Sequence, residues 1–127
     1  MHQIFFQIFS ISLVMSIVFS EEPKLVPLQK TIELLENSTY LMTCNLFSGS
    51  KPIFFEWYKN GQKFSETNNI RMENTNHYSF LTMTNLTAED SGNYECRAKN
   101  VYGTSSTSSQ FVIKGLLKRN LFILNSW

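Results

Sequence analysis

The chain is short of the residues from which most catalytic and metal sites are built. Its 127 residues include two histidines, two cysteines and a single aspartate, Asp90. His2 lies in the extreme amino-terminal stretch, so His77 stands alone in the main body, with no second imidazole or free thiol to complete a zinc set. With one aspartate, a calcium cluster would have to draw on glutamates scattered over several loops. Ser91, in Asp90-Ser91-Gly92, lacks the flanking glycines of a nucleophile elbow. Neither catalysis nor a bound cofactor or metal is expected. Charge of one sign is missing too: 11 Lys and Arg face 10 Asp and Glu, with a formal net charge of +1 and no sustained run. That excludes the clustered basic stripe of a nucleic-acid-binding domain, and nothing points to a small-molecule substrate.

Long apolar runs are also absent except at the amino terminus. From Ile4 to Phe19 only Gln7, Ser10, Ser12 and Ser16 interrupt apolar residues, and the first charges are Glu21 and Glu22. This reads as a secretory signal peptide over residues 1–20, cleaved after Ser20 with Val18 and Ser20 as the small residues at −3 and −1. The alternative is an uncleaved signal anchor, favoured by the lack of Lys or Arg in Met1-His2-Gln3 and opposed by a length short of the roughly 20 residues that span a bilayer. A secretory route places Cys44 and Cys96 in an oxidising compartment, where a lone pair is expected to be bonded. Closing a loop of that size would limit the unfolded chain by roughly 4 kcal/mol. Two free buried thiols are the alternative in a reducing compartment.

Residues 21–114 carry short apolar alternations separated by turn signals about every 8 to 12 residues, the rhythm of an all-β sandwich. Pro23 and Pro27 suit an irregular first strand before Thr31–Leu34. Thr39–Leu46 places Met42, Cys44 and Leu46 on one face, and Ile53–Tyr58 places Ile53, Phe55 and Trp57 inward. Asn60-Gly61 predicts a tight hairpin. Strands are expected over Ile70–Glu73 and Tyr78–Met83, then one with Tyr94, Cys96 and Ala98 inward, and a last over Thr107–Lys114. Cys44, Trp57 and Cys96 have the spacing of an immunoglobulin-like Greek-key β-sandwich with one inter-sheet disulfide, on which Trp57 packs while Tyr94 turns its hydroxyl onto the preceding corner.

Cys44, Trp57, Leu81, Asp90-x-Gly92-x-Tyr94-x-Cys96 and Ala98-x-Asn100-x-x-Gly103 together resemble the intermediate (I-set) immunoglobulin domain over about Pro23 to Lys114. The resemblance implies that Asp90 pairs with an arginine at the start of strand D, where Arg71 stands, and that this salt bridge, like Trp57, Leu81 and Tyr94, is structural. The stretches Lys51-Pro52-Ile53, Trp57-Tyr58-Lys59-Asn60-Gly61, Asn93 to Asn100 and Val112-Ile113-Lys114-Gly115 are similar to domains of the Down syndrome cell adhesion molecule (Dscam) family and related neuronal adhesion proteins. That resemblance implies homophilic cell recognition at the plasma membrane, in axon guidance and dendrite self-avoidance.

Two sequons, Asn37-Ser38-Thr39 and Asn85-Leu86-Thr87, fall in expected turns at one end of the sandwich, where glycans would leave the G-F-C face bare. Outward on that face should lie Phe54, Glu56 and Tyr58, Arg97 and Lys99, and Val112, a mixture suited to a protein partner such as the same or a related immunoglobulin-domain receptor. His77 is expected at a solvated strand edge. Residues 115–127 form an apolar and basic tail whose apolar run is too short for a bilayer. Its three readings are a truncated continuation into further domains, a docking segment, and a membrane-surface contact through Lys118 and Arg119. Two functions then compete: an adhesion module at the extracellular face of the plasma membrane, joined to it only by a continuation, and a freestanding secreted binder acting as decoy or immune recognition protein.

Overall fold

The computed structural model describes residues 19–115; the proposed signal segment up to residue 18 and the tail from 116 onward lie outside the described residues. Nine strands run β1 Lys24–Leu25, β2 Thr31–Leu35, β3 Tyr40–Ser48, β4 Phe54–Lys59, β5 Gln62–Lys63, β6 Ile70–Asn74, β7 Tyr78–Met83, β8 Gly92–Asn100 and β9 Gly103–Lys114. They form a four-stranded sheet ordered β1-β3-β7-β6 and a five-stranded sheet ordered β2-β9-β8-β4-β5. The chain crosses between sheets just after β1, so β2 pairs parallel to β9 while the other pairings are antiparallel. This is the expected all-β sandwich.

Alternation puts Met42, Cys44, Leu81 and Met83 of one sheet against Trp57, Tyr94, Cys96, Ala98 and Phe111 of the other, all with 0–1% exposure. Removing one of the larger of these, such as Met42, Leu81 or Phe111, from water contributes about 1.5 to 3 kcal/mol. Cys44 and Cys96 are bonded across the sheets with their Cα atoms 6.4 Å apart. Trp57 lies between them in sequence, and its indole N–H donates to Ser79 Oγ at 2.7 Å. Ser79 in turn donates to Asn74 Oδ1, so a polar chain satisfies the ring inside an apolar core. Tyr94 donates its hydroxyl to the carbonyl of Asp90 at 2.7 Å, and burial pushes its phenol well above the ordinary range.

Two expectations need correction. Arg71 does not pair with Asp90: its guanidinium reaches Glu66 at 3.8 Å and is largely exposed. Asp90 is buried, and its carboxylate accepts instead from Asn69 Nδ2 at 3.1 Å and from the Thr87 backbone N–H at 2.9 Å. Register supplies the reason. Asn69 is level with Thr84, to whose carbonyl it also donates, at the sheet end that abuts the Asp90 corner. Arg71 is two residues farther up, opposite Thr82, and points to solvent. The last strand also begins at Gly103, four residues before Thr107, because Asn100 folds the chain into a hairpin directly after β8.

Candidate recognition surface

The outer face of the five-stranded sheet follows from what its inner face buries. Phe55, Trp57, Cys96 and Ala98 point inward, so Phe54, Glu56 and Tyr58 of β4 and Glu95, Arg97 and Lys99 of β8 point outward. Register sets them in rows: Phe54 opposite Lys99, Glu56 opposite Arg97, Tyr58 opposite Glu95. Phe54 is 59% exposed at one end of this array. Val112 is outward and half-buried on β9, paired with Glu33 of the flanking β2 and away from the other five candidates.

The rows are knit by a polar network. Arg97 stacks its guanidinium on the Tyr58 ring at 3.7 Å from the centroid and donates from Nε to Glu95 Oε1 at 2.6 Å. Tyr58 donates its hydroxyl to Glu56 Oε2 at 3.0 Å, and Lys63 of β5 donates to Glu56 Oε1 at 3.3 Å. These contacts hold the Glu56 carboxyl below its ordinary range, the Tyr58 hydroxyl first and Lys63 second. The hydrogen bond that Arg97 donates to Glu95 likewise raises the pKa of its guanidinium. Each pair is exposed enough that its net contribution is small, but the cation–π stack fixes two long side chains in place.

Glu95 and Lys63 were not among the expected surface residues, although Glu95 shares the parity of Arg97 and was readable from the alternation. Less legible was Asn100, buried at the tip between β8 and β9. Its Nδ2 donates to the carbonyls of Glu21 at 2.7 Å and Ser50 at 2.9 Å, while its Oδ1 accepts from the N–H groups of Tyr102 at 2.9 Å and Gly103 at 3.1 Å. One carboxamide thus clasps the amino-terminal segment, the β3–β4 loop and the β8–β9 turn. On the opposite sheet, Leu41 and Phe47 are 53% and 76% exposed beside a stacked Tyr78–Phe80 pair.

Asn37 and Asn85 occupy adjoining turns. The Asn37 N–H donates to the Leu86 carbonyl at 2.8 Å and the Leu86 N–H to the Ser38 carbonyl at 3.3 Å, and both asparagines take positive φ, 63° and 47°, with their side chains exposed. His77 is exposed in the turn before β7, with its Nε2 against Lys51 Nζ. Ser91 Oγ is engaged by the N–H of Ile113 at 3.0 Å. Among the described residues no group of three or more His, Cys, Asp or Glu could hold a metal ion.

Residues 23–113 match the immunoglobulin I-set domain family. The chain belongs to that family. Myopalladin of Mus musculus is 29% identical to this I-set domain over 96 residues, 76% of the chain and 7% of the relative. The limbic system-associated membrane protein of Rattus norvegicus is 39% identical over 54 residues, 42% of the chain and 16% of the relative. Protein turtle homolog B of Rattus norvegicus is 31% identical over 84 residues, 66% of the chain and 6% of the relative. The chain therefore spans a small fraction of each of these relatives. Among solved structures, the I-band fragment I67–I69 from titin superposes with a TM-score of 0.69 at 29% identity over 74% of this chain and 33% of that one. Titin M4 gives a TM-score of 0.69 at 18% identity over 76% of this chain and the whole of that one, a likeness of fold.

Proposed function

We propose that this I-set domain is an extracellular protein-recognition module for cell–cell adhesion, homophilic in the manner of the Dscam-like words in its sequence, and that it binds through the outer face of the five-stranded sheet. The observation that carries the reading is the Arg97–Tyr58 stack with its carboxylate partners: a preorganised aromatic and charged array, open to solvent, on a sheet with no covering element among the described residues. Arg and Tyr are enriched at the centres of protein interfaces, and rigid side chains lose less entropy on binding.

The extracellular setting is part of the same proposal. Phe19 is 87% exposed, whereas Glu21 is the first residue stitched into the domain, its N–H donating to Ser50 Oγ at 2.9 Å. That change of environment supports cleavage after Ser20. Glycans on Asn37 and Asn85 would crowd the end opposite the Asn100 tip and leave the face clear. A glycosidase should then shift the mobility of the secreted protein in two steps, and an unshifted band would remove that support.

Bead aggregation tests the function itself. Beads coated with the protein should aggregate, and the double reversal Arg97→Glu with Lys99→Glu should abolish aggregation at unchanged melting temperature. Aggregation that survives the reversal would place recognition elsewhere.

A further inference from the structure

We propose that this outer face is self-complementary, a charged aromatic ridge beside a hydroxyl-lined trough, and that its occupant is a second copy of this chain related by a two-fold axis parallel to the strands. The proposal rests on the homophilic reading and gives it a geometry. Three rows cross β4, β8 and β9: Tyr58, Glu95, Ser108; Glu56, Arg97, Ser106; and Phe54, Lys99, Thr104. Long side chains fill β4 and β8, whereas in these three rows the outward positions of β9, Thr104, Ser106 and Ser108, carry short hydroxyl side chains, all exposed. No strand flanks the trough, because β2 pairs with β9 only from Gln110 to Lys114; before that stretch the amino-terminal segment meets β9 through the Leu28 N–H on Thr107 Oγ1, a side chain of inward parity.

An axis between β8 and β9 lays each ridge in the other copy's trough, an isologous contact that closes at two. Charge permits the approach. Lys63 and Arg97 already have Glu56 and Glu95 as partners, so two copies of the ridge do not meet as bare like charges. Serine hydroxyls both donate and accept, so one lane can serve Arg97 and Glu95 alike. Four opposed lanes at about 4.8 Å spacing and six residues at about 3.4 Å give roughly 400 Å² per copy, about half of the 800 Å² of a standard interface. With the axis along the strands both copies run the same way, so the contact is weak singly and effective when many copies stand side by side on one surface.

The test uses the full glycosylated chain in sedimentation equilibrium. Ser106→Arg, or Ser108→Lys should the first fail to fold, fills the trough and should weaken self-association about tenfold or more, while Ser106→Ala should leave it within about twofold. Independently, Lys99→Cys mixed with Thr104→Cys should cross-link on oxidation far more than either alone. Self-association of the filled-trough variant at the wild-type level, with no preferred cross-link, overturns the ridge-and-trough geometry and leaves homophilic binding standing. A folded wild-type chain that neither aggregates beads nor dimerises refutes homophilic binding, and this proposal with it.

Discussion

Replacing Asn100 by alanine should unclasp the tip of the sandwich. The side chain is 9% exposed and makes all of the hydrogen bonds open to a carboxamide, two as donor and two as acceptor. Each bond contributes about 0.5 to 1.5 kcal/mol net, and the backbone groups of Glu21, Ser50, Tyr102 and Gly103 lie near enough to the surface to recover part of that from water. A loss of about 2 to 4 kcal/mol follows. For a domain of this size, each kcal/mol moves the melting temperature by about 4 to 8 °C, so the midpoint should fall by roughly 8 to 32 °C. Urea unfolding followed by tryptophan fluorescence would measure it, with Trp57 as the buried reporter. Asn100→Asp should fall similarly, since it keeps the acceptors for Tyr102 and Gly103 but turns a carboxylate toward the Glu21 and Ser50 carbonyls. A loss below about 1 kcal/mol in both variants would refute the clasp.

Other outcomes follow from single contacts. Arg71→Ala should change stability by less than about 0.5 kcal/mol, as befits an exposed pair, whereas Asp90→Ala should cost about 1 to 3 kcal/mol by orphaning Asn69 and the Thr87 N–H; equal effects would restore the Arg71 pairing. Ser109 Oγ is buried with no hydrogen-bond partner, so Ser109→Ala should raise stability by up to about 1 kcal/mol in thermal melts, and a clear loss would mean that the hydroxyl is satisfied. Glu56 has a folded pKa below its ordinary 4.5, so its contribution is present above that value and fades as the pH falls through the depressed pKa. Glu56→Gln should therefore flatten the acid limb of the melting-temperature profile; an unchanged limb would remove Glu56 from the network.

The parts of this fold that depend on period two were readable from the chain. Cys44, Trp57, Cys96 and Ala98 point inward because strands alternate, and the same parity put Phe54, Glu56, Tyr58, Arg97 and Lys99 outward. What escaped was the level at which side chains meet across a turn. Asn69 and Arg71 share a parity, and only the β6–β7 register decides which of them reaches Asp90. The hairpin at Asn100 was hidden for a related reason: its signal is a side chain that bonds the backbone two and three residues on, in a stretch whose serines and threonines suggest a loop. Recognition is less legible still, since the ridge and the trough come from separate strands whose alignment no local pattern encodes.

The parallel pairing of β2 with β9 also sets how the domain answers a pull. Glu21 is anchored at the Asn100 tip, and Gly115 leaves beside Glu36 at the far end, so tension applied between them runs along the sandwich. Thirty-one to thirty-five against 110 to 114 is then loaded in shear, all rungs together instead of one after another. Behind that pair the Cys44–Cys96 bond encloses a separation of 52 residues, which withholds about 180 Å of slack at about 3.4 Å per residue. An adhesive contact on the outer face would thus be carried by a module that resists extension at β2 and β9 and, once they part, can pay out only the chain outside the Cys44–Cys96 loop.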